Sequence, residues 1–264
     1  MGIRRLECAL AGLIAVSSLA TGCSTSSTAT ASPKQRSFAA LGDSVPRGTN
    51  CGCTPYPPLS ADLLAARTGR PATTANDSVA GYTTTDVLDQ VTTDKDVEHD
   101  VGAADVVEIE IGANDVAYSQ ACGTDVACYT PKVPAIGRNL EEIVARVHQL
   151  ATGREPLVVL LDYWSVWLGG RYAAERGPAY VAAAEAVTDE VDTAIKSTAA
   201  DTGSAYVDLR AAFKGPSYAY DETRYLSNDG DHPNAAGHRR IAEAVDGVVE
   251  GERPTSRTAA PTQR

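Results

Sequence analysis

Val106-Val107-Glu108-Ile109-Glu110-Ile111, followed at once by Gly112-Ala113-Asn114-Asp115, is the stretch on which the fold turns. The run is short, near-continuous and rich in β-branched residues, as strands buried in a parallel sheet are. Similar short runs lie on either side of it. Residues 37–41 end at Gly42, residues 157–161 form a second buried run, and residues 205–209 a last one. Between them the spacing predicts helices over residues 59–67, 133–150, 180–200 and 235–249. In the second of these, Ile136, Leu140, Ile143, Val144 and Val147 share one face. Strand-helix alternation implies an α/β fold, a parallel sheet covered on both faces.

In such sheets ligands bind at the carboxyl ends of the strands. Gly42-Asp43-Ser44 follows the first strand there, and Gly112 to Asp115 follows a later one. Asp229-Gly230-Asp231-His232-Pro233 lies in the loop after the last strand. Topology therefore carries a hydroxyl, a carboxamide and an imidazole with its carboxylate to one rim. Acyl transfer needs those groups to converge on one carbon. Taken alone, Gly-Asp-Ser is a common turn, Asn114 a good helix cap and His232 a surface histidine. Asp43 and Asp115 are expected to hold their loops through backbone hydrogen bonds. His148 and His238 fall in helical stretches and read as solvated or capping residues; His99 also lies outside the blocks.

The chain has 264 residues, 43% hydrophobic and 22% charged, which suits one globular domain of ordinary size. Residues 1–22 read as an export signal. Arg4 and Arg5 make a basic start, and the apolar run 9–19 is too short to span a bilayer as a permanent helix. Leu19-Ala20-Thr21-Gly22-Cys23 resembles the lipobox of bacterial lipoproteins, with Ala20 where leucine is commoner. That resemblance implies cleavage before Cys23 and acylation of its sulfur; a plain secretory signal is the alternative. Residues 23–36, rich in Ser, Thr and Ala, read as a tether, residues 37–250 as the domain, and residues 251–264 as a disordered tail. The expected location is the outer face of the cell membrane, or outside the cell.

The formal charge of −11 becomes −12 once two arginines and one glutamate leave with residues 1–22. Such a surface repels nucleic acid and anionic head groups, so membrane attachment would come from the lipid on Cys23. Cys51, Cys53, Cys122 and Cys128 are an even number in an exported chain, and disulfides are the natural reading. Three pairings are possible. The local one, Cys51 with Cys53 and Cys122 with Cys128, is the one expected, although a Cys-x-Cys ring is tight. Zinc on these cysteines is the alternative; no metal or cofactor is expected.

With these blocks in order, residues 37–249 resemble the SGNH (GDSL-type) hydrolase family, named for Ser, Gly, Asn and His in four blocks. Ser44 matches the nucleophile and Asn114 the oxyanion asparagine. His232, followed by Pro233, matches the base, and Asp229, three residues before it, the acid. Gly81, in Asn76-Asp77-Ser78-Val79-Ala80-Gly81, is the best match to the second block. The resemblance implies a three-layer α/β/α sandwich with a central parallel sheet, flavodoxin-like in outline. It also implies an ester hydrolase or lipase with a Ser44–His232–Asp229 triad and an oxyanion hole of the Ser44 and Gly81 N–H groups and the Asn114 amide. Asp231, beside His232, is a rival for the acid. Tyr163, Trp164 and Trp167 follow a strand at the same rim and would wall a pocket for a lipid or glycan ester; ordinary packing is the alternative. Two other readings stay open: a deacetylase or acyltransferase on cell-envelope glycans, and a surface lipoprotein that keeps the fold without the chemistry.

Overall fold

The computed structural model describes residues 35–251. The export signal, Cys23, most of the tether and nearly all of the tail lie outside them. In chain order the strands and helices are β1 (Arg36–Gly42), α1 (Ser44–Arg47), α2 (Tyr56–Thr68), β2 (Ala72–Asn76), α3 (Thr84–Thr93), α4 (Lys95–Ala103) and β3 (Val106–Glu110). Then come α5 (Val133–Leu150), β4 (Leu157–Leu161), α6 (Gly170–Ala174), α7 (Pro178–Thr202), β5 (Ala205–Val207), α8 (Leu209–Lys214) and α9 (Ala235–Gly251).

The five strands form one parallel sheet in the order β2-β1-β3-β4-β5. Helices α2 and α9 pack together on one face, and α5 lies between α3 and α7 on the other. This is the expected three-layer sandwich. The chain steps from β1 outward to β2 and then back across to β3. The loops leaving β1 and β3 therefore diverge, and a crevice opens between them at the sheet's carboxyl edge.

Every residue of β3 is buried, and β4 is buried from its second residue on. On β3 this includes two acids: Glu108 and Glu110 have no exposed surface. Burial pushes both well above the ordinary carboxylate range, which favours the neutral acid. Helix α5 buries the five residues expected of its apolar face.

Three differences from the sequence reading have plain causes. Strand β2, Ala-Thr-Thr-Ala-Asn, was not expected. It is an edge strand whose positions are mostly half-exposed, so it carries no apolar run. The last strand stops at Val207, because the Asp208 side chain accepts the Ala211 N–H at 2.6 Å and starts α8 at Leu209. His238 is neither solvated nor a cap; it is wholly buried, on the α9 face that carries Ile241, Ala242 and Val245. Its Nδ1 accepts the Tyr56 N–H at 3.3 Å, and burial lowers its pKa to about 4, so the ring stays neutral.

Candidate active site

The site begins where β1 ends. Gly42 has φ of 145°, and a Cβ there would sit 2.1 Å from the Glu110 carbonyl oxygen, so only glycine lets β1 and β3 close at this point. Asp43 follows and is almost completely buried. Its Oδ1 accepts the Val45 N–H at 3.0 Å, and its Oδ2 accepts the Tyr163 hydroxyl at 2.7 Å. Burial raises its carboxyl to about 6 against the pull of those two bonds. Asp43 thus caps α1, as expected of a structural residue, and Ser44 becomes the first residue of that helix. Its half-exposed side chain lies on the wall of a cavity of about 330 Å³.

The chain after β3 supplies the second group. Asn114 lies in a 3-10 turn, Ala113–Val116, and its Nδ2 donates to the Tyr82 carbonyl at 2.9 Å. A carboxamide has two N–H donors, so one remains for a ligand. Asp115 holds the turn by accepting the Thr84 N–H at 3.0 Å and the Thr84 hydroxyl at 2.7 Å. This was also the expected role.

The third group comes from the loop before α9. Leu226 bridges Pro233, and Ser227 N–H donates to the His232 carbonyl at 2.8 Å, closing a tight turn. Asn234 then caps α9, its Oδ1 accepting the Ala236 and Gly237 N–H groups. Inside the turn His232 Nδ1 lies 2.8 Å from Asp229 Oδ2. Asp229 Oδ1 accepts the Asp231 and His232 N–H groups at 3.0 and 3.1 Å. Partial burial would raise the Asp229 carboxyl, but these bonds, with one from Asn50, bring it down to about 2. The imidazole Nε2 is left for the cavity, which His232 lines together with Ser44 and Asn114. Asp231 also lines it, but the carboxylate paired with His232 is that of Asp229.

Of the expected catalytic and oxyanion residues, Asp229 and Gly81 do not line this cavity; Asp229 stands behind His232, whereas Gly81 makes no such contact. It is exposed, has φ of 87°, and has open space where a Cβ would stand. It is linked to the site through its neighbour Tyr82, whose carbonyl holds Asn114.

The segment after β4 forms the opposite wall. Tyr163, Trp164 and Trp167 all line the cavity and are all nearly fully buried. The same rings are cavity wall and packed core at once. Trp164 stacks on Phe213 with ring centroids 4.3 Å apart. Trp167 Nε1 donates to the Val116 carbonyl at 2.8 Å, tying this wall to the turn that carries Asn114. Sequence reasoning missed Tyr118, Arg176 and Tyr180 on the same cavity. The Arg176 guanidinium stands 5.3 Å from the Tyr118 ring centroid and 5.1 Å from that of Tyr180. Tyr118 lies only three residues beyond the Asn114 block and could have been flagged; Arg176 carries no local signal.

Cys51 pairs with Cys53 and Cys122 with Cys128, with Cα atoms 5.1 and 5.8 Å apart, both within the range a disulfide spans. Two of these sulfurs and a ring nitrogen of His238 lie within 4.8 Å of one another and form a group that could hold a metal. Sulfurs bonded to each other offer no thiolate to an ion.

Comparison with known proteins shows the family and the fold. The model of the GDSL-like lipase/acylhydrolase family matches residues 40–240. No curated protein matches the chain. Among solved structures, a lipase named Lip_vut3, from a goat rumen metagenome, superposes with a TM-score of 0.63 at 18% identity, covering 81% of this chain and 97% of its own. TesA gives 0.56 at 18% identity, covering 82% and 99%. Axe2, an acetylxylan esterase from Geobacillus stearothermophilus, gives 0.56 at 22% identity, covering 79% and 91%. At these identities the likeness to the three structures is one of fold.

Proposed function

The chain belongs to the GDSL-like lipase/acylhydrolase family, and from that premise we propose that it hydrolyses carboxylic esters through an acyl intermediate on Ser44. The observation that carries the reading is the Asp229–His232 pair at 2.8 Å, with Ser44, Asn114 and His232 on one cavity.

In this mechanism His232 Nε2 takes the Ser44 proton as Oγ attacks the ester carbonyl. Asp229 accepts the Nδ1 proton's hydrogen bond, which fixes the tautomer and stabilises the imidazolium. The carbonyl oxygen becomes an oxyanion and accepts bonds from the Ser44 N–H, the free hydrogen of the Asn114 amide and, on the family pattern, the Gly81 N–H. Collapse expels the alcohol, which takes the proton back from His232. Water then attacks the acyl carbon, gives its proton to His232, and the carboxylic acid leaves as Ser44 regains its own proton.

A cavity of about 330 Å³ suits a short acyl group or one sugar-sized unit better than a long chain. The aromatic wall, with Tyr118 and Tyr180 beneath Arg176, also favours a second reading: acetyl groups carried on a glycan. The acceptor in that case is water or a sugar hydroxyl, and product analysis with a sugar present separates the two. Cysteines paired at disulfide distance support an oxidising, extracytoplasmic location. Acylation of Cys23 would attach the domain to the outer face of the membrane, and radiolabelled fatty acid should be incorporated by the wild type but not by Cys23→Ser.

The test of the main reading is p-nitrophenyl acetate hydrolysis. Ser44→Ala should lose nearly all activity and all labelling by a fluorophosphonate. Equal rates in the two proteins would end the proposal.

A further inference from the structure

We propose that Asn50, which lies outside every sequence block, is a positioning residue for the reaction: its side-chain amide holds the carboxylate of Asp229. The inference rests on the roles given above to Asp229 and His232. Asn50 Nδ2 is 2.5 Å from Asp229 Oδ2, the same oxygen that faces His232 Nδ1.

An ionised carboxylate offers about four lone-pair sites. Oδ1 takes the N–H groups of Asp231 and His232, and Oδ2 takes the ring of His232 and the amide of Asn50. Three of these donors belong to the acid's own turn and move with it. Asn50 is the one that comes from elsewhere in the chain. Without it, Oδ2 keeps only the imidazole, and among the described residues no other hydrogen bond from outside the turn holds the carboxylate.

The turn that carries Asn50 is built to present it. Asn50 has φ of 56°, a left-handed conformation that asparagine tolerates and most residues do not. Its carbonyl accepts the Ser227 hydroxyl at 3.3 Å, so backbone and side chain both dock on the acid's loop. Upstream, Thr49 N–H donates to the Ser44 carbonyl at 3.0 Å and Cys51 N–H to the Gly48 carbonyl at 3.3 Å. Downstream, Cys51 pairs with Cys53. The few residues after Ser44 therefore end directly on Asp229. One short braced segment sets the distance between the nucleophile's turn and the acid.

Two substitutions separate positioning from turn formation. Asn50→Gly keeps the left-handed backbone and removes the donor. Asn50→Asp keeps the shape and the tolerance of that backbone but puts a second carboxylate against Asp229. In p-nitrophenyl acetate hydrolysis both should lower kcat by about tenfold to a hundredfold, with KM within about twofold, as misplacement of a catalytic group does. Asn50→Gly should unfold close to the wild-type temperature. A role confined to the turn predicts kcat within twofold of wild type in both variants, and that result would overturn the proposal. A readout independent of turnover keeps the inference separate from the esterase reading. The downfield proton resonance of His232 Nδ1 should shift in Asn50→Gly, and an unchanged resonance would count against Asn50 even in a protein that proved not to be an esterase.

Discussion

The Tyr163 hydroxyl donates to Asp43 Oδ2 across 2.7 Å, joining the second residue after β4 to the residue just before Ser44. Trp167 makes a similar tie from the same segment to Val116, beside Asn114. One stretch of chain thus braces both the turn of Ser44 and the turn of Asn114. The loops at the rim of the sheet are bonded to each other as well as to their strands.

Tyr163→Phe should remove the donor and leave a buried acceptor, at a cost of about 1–3 kcal/mol. The loss should depend on pH. Asp43 is raised to about 6 in the folded protein, so its influence lowers stability as pH rises from about 4 to 6. Without the tyrosine its carboxyl rises further, and the falling limb extends to higher pH. Urea unfolding should show a larger deficit for the variant at pH 8 than at pH 5.

Asp229 acts in the opposite sense. Its folded value of about 2 lies below the unfolded one, so its contribution is present above about pH 4 and is lost as pH falls through 2. The group is partly exposed, and solvent screening reduces the effect to about 1 kcal/mol. Wild type should exceed Asp229→Asn in stability by that margin at pH 6, with roughly half the margin gone at pH 3. Denaturant titrations at the two pH values test this, and a margin that does not shrink on acidification would contradict it.

Asn114→Ala should lower kcat by about 10²- to 10³-fold while KM changes little, because an oxyanion donor acts mainly in the transition state. Steady-state kinetics on a p-nitrophenyl ester measures both. A loss below about tenfold would mean that the bond to Tyr82 is the whole of this residue's work.

Much of this protein was legible along the chain. The runs at Val106 and Leu157 read as buried strands because both faces of a parallel sheet are covered, and the expected α5 face is the buried one. Ser44, Asn114, Asp229 and His232 were singled out because their blocks sit at recognisable turns and resemble the SGNH pattern. Strand β2 was not, because a half-exposed edge strand has no continuous apolar run. His238 read as solvated or capping, although its spacing to Ile241, Ala242 and Val245 puts it on an apolar face; one polar residue hid that pattern.

The order of elements, the chemistry of the three loop blocks and the sheet edge on which they gather follow from local sequence, because strand periodicity and turn residues act over a few positions. Which side chains brace them is a different kind of fact. Asn50 meets Asp229 across 179 positions, and Tyr163 meets Asp43 across 120. No local pattern encodes such pairs, since they arise only when the loops leaving separate strands are packed side by side.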